Sequence, residues 1–204
     1  MKILALELST ARGGLAWLNG DVDLVREWPN DRKHSGLFFE NLTEMQKQFG
    51  LPEIIIVGLG PGSYAGTRIA ISTAIGLQMV ANARLIGYPS IGAIETEENE
   101  YCVIGDARRN TFFFAPIRIN DLVEGPTLIS EAELKEKLDK LEDKMPIFSS
   151  EPLPQFKRTA VRYPSALVLA RLAQDLDRSF SLPPLEPMYL REPHITRPRS
   201  APIT

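Results

Sequence analysis

The residues best suited to chemistry lie in a glycine-rich segment at positions 58–68, with the sequence GLGPGSYAGTR. A β-branched run before it predicts a buried strand, and the apolar stretch after it predicts a helix. Such a turn at a helix N-terminus presents backbone N–H groups and a positive dipole end, which suits an anion or a nucleotide. The residues assigned to this possible anion or nucleotide site are Glu7, Gly60, Gly62, Ser63, Gly66, Arg68 and Asp106. A tight turn that needs glycine only for packing is the alternative.

Three catalytic or cofactor-binding motifs can be compared with this segment. A Walker A loop ends in Gly-Lys-Ser/Thr, whereas Thr67 is followed by Arg68 with no lysine. Positions 60–65 match the dinucleotide-binding pattern, but positions 79–88 lack the acidic residue expected about 20 positions on. A nucleophile elbow needs Gly-x-Ser-x-Gly, and here Gly62 directly precedes the serine. None of the three motifs is therefore predicted.

Two acidic residues end predicted strands and could face a ligand beside the glycine-rich segment. For Glu7, a carboxylate that contacts solvent at the end of its strand is preferred over a metal ligand. For Asp106, a structural ion pair with Arg108 or Arg109 is preferred over contact with a ligand. The two histidines, His34 and His194, lie far apart, and Cys102 is the one cysteine. Because no cluster has metal-ligand spacing, neither a metal site nor a catalytic residue is predicted.

Arg68 falls in the first turn of the predicted helix, where a cation is disfavoured by the helix dipole by about 0.3–1 kcal/mol. An arginine in that position requires an anionic partner. A carboxylate of the same chain, Glu7 or Asp106, is the expected partner. An acidic group or phosphate supplied by another molecule is the alternative.

The elements that position these residues follow a regular order in the first half of the chain. Strands are predicted at 2–8, 15–18, 22–28, 54–57 and 85–88, and helices at 34–49 and 65–80, with a short helix from Ser90. A three-strand meander followed by alternating helices and strands is the ribonuclease-H-like order. The second half resembles a degenerate copy, with strands at 101–105, 111–118 and 146–148 and helices at 130–141 and 165–177. Gly50 is predicted to end the first helix, Ser63 or Thr67 to cap the second, and Ser130 with Glu133 to form a capping box at residue 130.

This duplication predicts two α/β lobes that face each other across a cleft. The first lobe covers residues 1–96 and holds the glycine-rich segment, and the degenerate second lobe covers 97–204. Six of the 16 prolines lie between positions 183 and 202, which predicts an extended and partly disordered tail.

Composition limits the class of protein. The 204 residues are 44% hydrophobic and 24% charged with a net charge of −3, which is typical of a soluble globular chain. A slightly acidic chain is not expected to bind nucleic acid by itself. One cysteine favours a reducing compartment, and no apolar run reaches the roughly 20 residues of a membrane span. A cytoplasmic protein without membrane contact is predicted.

Several segments, in order along the chain, resemble motifs of the bacterial TsaB (YeaZ) family. GPGSYAGTRI at 60–69 is similar to the family's GPGSFTGLRIG, and ILALELST at 3–10 to its ILAIDTST start. The family's HSE segment is similar to His34-Ser35, its DAR(M/R) segment to the DARR at 106–109, and its P-x-Y-L-R ending to Tyr189-Leu190-Arg191. The resemblance spans nearly the whole chain and implies duplicated lobes of the actin-like ATPase/sugar-kinase (ASKHA) superfamily.

The resemblance also implies a function. A member of this family is a non-catalytic accessory subunit that pairs with its paralogue TsaD and with the ATPase TsaE. The complex moves a threonylcarbamoyl group from its adenylate onto adenosine in tRNA anticodon loops, so this chain would reach tRNA only through the complex. No cofactor is expected on the chain alone, and ATP or ADP only within the complex. A homodimer of the isolated chain is left open.

The sequence departs from the family at the end of the first strand. Glu7-Leu8-Ser9 replaces the usual Asp-Thr-Ser, so binding of ATP with magnesium is not expected there. A small-molecule kinase or ATPase of the same fold is the alternative function, but it needs phosphate loops in both lobes and the second half shows none. A peptidase, as in the superfamily's older glycoprotease name, would need a metal cluster or an activated serine or cysteine.

Two apolar helices are predicted to contact the partner. In helix 34–49, Phe38 and Phe39 point about 100° apart, so one lobe cannot bury every apolar residue. The stretch 69–83 is apolar nearly all round, and its small residues permit close helix approach. The residues assigned to the partner contact are Leu37, Phe38, Leu42, Met45, Ala70, Thr73, Ala74 and Leu77. Burial in the core of their own lobe is the alternative.

Overall fold

The computed structural model describes residues 1–20, 22–30, 36–175 and 177–191, and it contains two mixed β-sheets. The strands of the first sheet are β1 (Lys2–Glu7), β2 (Arg12–Asn19), β3 (Val22–Pro29), β4 (Ile54–Gly58) and β5 (Arg84–Tyr88). Helices α1 (Gly36–Phe49) and α2 (Tyr64–Ala81) and a 3₁₀ turn (Ser90–Ala93) complete this half of the chain.

The second sheet is formed by the second half of the chain. Its strands are β6 (Glu100–Asp106), β7 (Thr111–Arg118), β8 (Asp121–Leu122), β9 (Thr127–Ser130), β10 (Ile147–Ser149) and β11 (Thr159–Val161). Two helices belong to the same stretch of sequence, α3 (Glu131–Asp139) and α4 (Ala166–Leu172).

The first sheet has the strand order β3-β2-β1-β4-β5, with an antiparallel meander β1-β2-β3 and parallel β4 and β5. Strand β1 is buried on both faces because its side chains alternate between two cores. Leu4 and Leu6 point to the side covered by α1 and α2, and Ile3 and Ala5 point to the opposite side. Because β1 and β4 pair in parallel, their C-terminal ends lie side by side, and Glu7 lies next to the glycine-rich loop.

Helix α1 packs on this sheet through a single apolar stripe. Phe38, Leu42 and Met45 recur at helical spacing and are buried, and Phe49 stacks on Trp17 with ring centroids 5.4 Å apart. The helix ends at Gly50, whose φ of +79° favours glycine, as the sequence predicted. The predicted start at residues 34 and 35 lies outside the described residues.

The second sheet has the order β11-β10-β6-β7-β8, and β9 also pairs with β7. Helix α3 covers it through the buried side chains of Leu134 and Leu138. The predicted capping box is confirmed, because the Ser130 Oγ accepts a hydrogen bond from the Glu133 N–H and the Glu133 carboxylate accepts one from the Ser130 N–H.

Helix α4 does not pack where the sequence suggested. The sequence assigned it to the second lobe, but Ala166, Leu169 and Ala170 pack against the first sheet, on the face that α1 and α2 leave open. Without α4, the apolar side chains of Ile3 and Ala5 would face solvent, which explains why the chain returns to the first lobe. The helix is also shorter than the predicted 165–177.

A polar cluster joins the two lobes on the side of β5. The Tyr88 hydroxyl donates a hydrogen bond to Asp121 Oδ1 (2.5 Å) and accepts one from Arg178 Nη1 (2.8 Å). Arg178 also forms an ion pair with Asp121 at 2.7 Å. Burial raises the pKa of Tyr88, so its hydroxyl keeps the proton that it donates. The cluster links β5 and β8 to Arg178, in the segment that follows α4.

The C-terminal segment 183–191 forms no helix or strand and is anchored to both lobes. Leu185 is buried in the core of the first lobe, and the Met188 N–H donates to the Leu59 carbonyl at 2.7 Å. Leu190 packs against the core of the second lobe. The segment therefore crosses from one lobe to the other, and residues 192–204 of the predicted tail lie outside the described residues.

Among the helices that are described, none has the length and apolarity needed to span a bilayer.

Candidate functional site

The glycine-rich loop between β4 and α2 lies directly against the end of β1. A Cβ on Gly62 would lie 2.1 Å from the Ser9 carbonyl oxygen, and one on Gly66 would lie 2.1 Å from that of Leu8. The Ser63 N–H donates to the Ser9 carbonyl at 2.5 Å, and the Ser63 Oγ caps α2 by accepting from the Gly66 N–H at 3.2 Å. Close backbone approach therefore accounts for both glycines, and anion binding by the loop stays a prediction.

Glu7 lies beneath this loop, and the expectation that it is solvated is wrong. Its side chain is completely buried because β1 is covered on both faces and Gly58, on the neighbouring strand, has no side chain. The Oε1 atom accepts a hydrogen bond from the Ser9 N–H at 2.7 Å. Ser90, whose Oγ accepts from the Gly60 N–H at 2.9 Å, lies close to the other carboxyl oxygen. Glu7 thus links β1, the loop and the 3₁₀ turn.

Burial raises the pKa of the Glu7 carboxyl above its ordinary value. The nearby hydroxyls of Ser9 and Ser90 and the Ser9 N–H counteract part of that rise, because they stabilise the carboxylate. Glu7 does not line the cleft between the lobes. A ligand in the cleft would meet the loop before it met this carboxyl group.

The cleft itself has a volume of about 530 Å³. The first lobe contributes Ser9, Gly62, Ser63, Thr67 and neighbouring residues to its walls, the second lobe Asp106, Arg108, Ser149 and Glu151, and the C-terminal segment Met188 and Tyr189. Of the predicted anion-site residues, Gly62, Ser63 and Asp106 thus share one cavity, whereas Glu7, Gly60, Gly66 and Arg68 do not line it.

Asp106 forms the structural ion pair that the sequence predicted. Its carboxylate accepts hydrogen bonds from the Arg108 N–H at 2.6 Å and from Arg108 Nη1 at 3.0 Å, and its own N–H donates to Glu151 at 2.9 Å. Arg108, Arg109 and Asn110 all have left-handed backbone angles, with φ of 67°, 56° and 58°. Of the three left-handed residues, Arg108 lines the cleft, next to Asp106 and Glu151.

Arg68 does not meet either of its expected partners. Glu7 is buried among its own hydrogen-bond donors and Asp106 pairs with Arg108, so the prediction of a carboxylate of this chain is wrong for both candidates. The Arg68 guanidinium is exposed and lies 5.0 Å from the centroid of the Tyr64 ring, and it also bonds to the Tyr64 hydroxyl. No carboxylate in the described part of the chain forms an ion pair with it.

The residues assigned to a partner contact fall mostly inside the protein. The side chains of Phe38, Leu42, Met45, Ala70 and Ala74 are buried in the core of the first lobe, Thr73 and Leu77 are half-buried, and Leu37 is exposed. A partner cannot contact the five buried side chains, because α1 and α2 turn them toward the sheet. For these five, burial in their own lobe is the correct interpretation.

Other apolar residues of the same helices are exposed, and the sequence analysis did not select them. Ile75, Met79 and Val80 of α2 point outward, with Met79 82% and Val80 73% exposed, and Phe39 of α1 is also exposed. The apolar character of α2 on all sides was the available signal, but it did not show which side faces the sheet. The exposed apolar residues Leu37, Phe39, Ile75, Met79 and Val80 are called the outer surface below.

Within the described residues, no three or more His, Cys, Asp or Glu side chains are grouped so that they could hold a metal ion. Two lobes, a cleft between them and a strand-loop-helix unit at its wall match the predicted fold class, the duplicated ribonuclease-H-like lobes of the actin-like superfamily. The family model for TsaD, tRNA N6-adenosine threonylcarbamoyltransferase, matches residues 31–184. The chain therefore belongs to this family.

Two solved structures from Pseudomonas aeruginosa have the same fold. One is an uncharacterized protein with similarity to peptidase YeaZ (TM-score 0.71, 19% identity, covering 93% of this chain and 99% of that chain). The other is YeaZ (TM-score 0.67, 19% identity, covering 85% and 91%). Together with the family match they confirm the predicted fold and the resemblance to the TsaB (YeaZ) family. No curated protein matches the chain.

The close approach at α2 predicts opposite effects for two glycines of one helix. Replacing Gly66 by Ala places a Cβ 2.1 Å from a backbone oxygen, so we expect the free energy of unfolding to fall by about 1–3 kcal/mol. Gly76 has open space around it, and Gly76→Ala should raise that free energy by roughly 0.5–1 kcal/mol through helix propensity. Urea unfolding measures both, and equal responses would contradict the packing role of Gly66.

Burial of Glu7 predicts a pH dependence of stability. Because its pKa is raised in the folded state, its contribution is fully present below the unfolded value of 4.5 and is lost as pH rises through the folded pKa. In Glu7→Gln this loss is absent, so the stability of the native protein relative to the variant should decrease as pH rises from about 4 toward 8. Unfolding across that range tests this, with the exposed Glu98→Gln as control. A constant difference for Glu7→Gln would show that its pKa is not raised.

Proposed function

We propose that this chain is a non-catalytic accessory subunit that pairs with the paralogue TsaD and with TsaE in the threonylcarbamoylation of tRNA. Family membership supports a role in the tRNA threonylcarbamoyladenosine pathway. In this proposal the chain acts in the cytoplasm and contacts tRNA only through the complex. It carries no cofactor of its own, and ATP or ADP is bound only in the assembled complex.

The main observation that supports pairing of this chain with TsaD is the distribution of large and small side chains around α2. The helix buries Gly66, Thr67, Ala70, Ile71 and Ala74, which are mostly small, and exposes the larger Ile75, Met79 and Val80. A helix stabilised only by its own lobe would be expected to bury its largest apolar side chains. Exposed apolar residues grouped on neighbouring elements are typical of a protein interface.

The cleft gives less support to a catalytic role. A kinase or ATPase of this fold needs carboxylates that face the phosphates and a phosphate loop in each lobe. Glu7 lies behind the glycine-rich loop and is bonded to Ser9, and Asp106 is occupied by Arg108. The loop itself is packed against β1 through Gly62 and Gly66. The groups that could have acted on a nucleotide thus hold the structure together.

Met79→Asp should weaken pairing with TsaD of the same organism. A carboxylate at the most exposed apolar position of α2 would be buried without a partner in the complex, so we expect the affinity to fall roughly thirtyfold or more. Co-purification and titration calorimetry measure the affinity, and threonylcarbamoyl transfer by the reconstituted complex should fall in parallel. Ala74→Arg would be a poor test, because Ala74 is buried and the change would disrupt the core.

Val123→Asp is the matched control, since Val123 is an exposed apolar residue of the second lobe and is 58% exposed. It should leave the affinity unchanged. Equal binding of TsaD by native protein and Met79→Asp, with both folded by circular dichroism, would show that the outer surface is not the pairing surface.

A further inference from the structure

The C-terminal segment crosses the cleft and forms part of its wall. Pro187, Met188, Tyr189 and Leu190 line the cleft together with residues of both lobes. The chain reaches them directly after Leu185, whose side chain is buried in the core of the first lobe. One side of the cleft is thus closed by a stretch of chain that is part of neither sheet and of no helix.

The part of the segment that precedes these residues is held firmly against the first lobe. The Ser181 N–H and carbonyl both bond to the backbone of Gly87, at 3.0 and 2.9 Å. Phe180 packs edge-on against the Tyr88 ring, with centroids 5.6 Å apart. Since Leu185 is also buried, this part could leave the lobe only if apolar side chains became exposed to water.

The following part, residues 187–191, is attached to the first lobe through contacts that are more exposed. The Met188 N–H donates to the Leu59 carbonyl at 2.7 Å. The Tyr189 ring packs on Tyr64 with centroids 5.4 Å apart, but both side chains face solvent, Tyr189 by 41% and Tyr64 by 50%. An aromatic contact that water already reaches stabilises a segment less than a fully buried side chain does.

On the second lobe, the same residues end in two contacts near the cleft. Leu190 is half-buried against the core of that lobe. Arg191 Nη2 donates to the Arg108 carbonyl at 3.3 Å and also bonds to the Thr111 hydroxyl. A segment with few buried contacts opens locally at a lower cost in free energy than unfolding of the whole protein. The weakly attached part can therefore separate from both lobes while the part before it stays in place.

We propose that residues 187–191 form a lid over the cleft, which opens by turning about the buried Leu185 while the two lobes keep their positions. When the lid is closed, it is bonded to Leu59 of the first lobe and to Thr111 of the second. When it is open, one wall of the cleft is removed, so molecules too large for the closed cleft reach polar side chains such as Ser150. The lid does not depend on the proposed function, because it uses only contacts within this chain.

Amide hydrogen exchange of the full chain compares the two parts of the segment. The Ser181 and Met188 N–H groups both donate to backbone carbonyls of the first lobe, at 3.0 and 2.7 Å, so they differ mainly in which part they belong to. After correction for intrinsic rates, we expect the Met188 amide to exchange at least about tenfold faster, because its bond breaks each time the lid opens. Equal protection of the two amides would contradict the proposal.

Labelling of an introduced thiol measures access to the cleft. Ser150→Cys places a thiol on the cleft wall. The native Cys102 gives little background, because it is buried and burial raises its pKa to about 11. Tyr189→Ala removes a contact of the lid with the first lobe, and Arg191→Ala removes one with the second. Each change, added to Ser150→Cys, should accelerate labelling by a bulky maleimide roughly tenfold, because the open lid becomes more populated.

Leu182→Ala is the matched control, because Leu182 lies in the same segment before Leu185 and is 63% exposed. It should leave the labelling rate unchanged. Urea unfolding of every variant separates opening of the lid from loss of global stability. Three outcomes would overturn the proposal: an unchanged rate in both lid variants, an equal increase in Leu182→Ala, or an increase that only follows global unfolding. Pairing with TsaD is tested separately, by the Met79→Asp titration.

Discussion

The structure depends on one close contact, in which the start of α2 and the loop before it lie against the end of β1. Gly62 and Gly66 leave no room for a Cβ between them and the carbonyl oxygens of Ser9 and Leu8. Because the loop cannot move away from β1 without losing the bond between the Ser63 N–H and the Ser9 carbonyl, the contact fixes where α2 begins. It also determines what can lie beneath the loop and which side of α2 meets the sheet.

Beneath the loop, the contact encloses Glu7. In a nucleotide-binding protein of this fold, a carboxylate at the end of β1 would face the cleft, but here it is turned to the Ser9 N–H and to the region of Gly58 and Ser90. A longer side chain than aspartate reaches these groups, and burial favours its protonated form. The residue thus connects three elements of the first lobe.

Sequence reasoning was most successful where structure is determined by neighbouring residues. The Ser63 cap, the Ser130 and Glu133 capping box and the stop at Gly50 depend on local bonds and backbone angles, and all three are present. The return of α4 to the first sheet and the burial of Glu7 depend on residues far away in sequence, and periodicity contains no information about them. For α2, which is apolar on every side, only the fold could show which residues remain outside.

The same contact links the inside of α2 to its outside. A helix whose first turn touches the backbone of β1 leaves space mainly for small side chains toward the sheet, which accounts for Gly66, Thr67, Ala70 and Ala74 beside the buried Ile71. The larger apolar residues, Ile75, Met79 and Val80, then have no place within the lobe and lie in solvent. Their exposure costs free energy in the isolated chain that a second protein surface would remove. Tight packing within the lobe and an apolar surface outside it are therefore two consequences of one constraint.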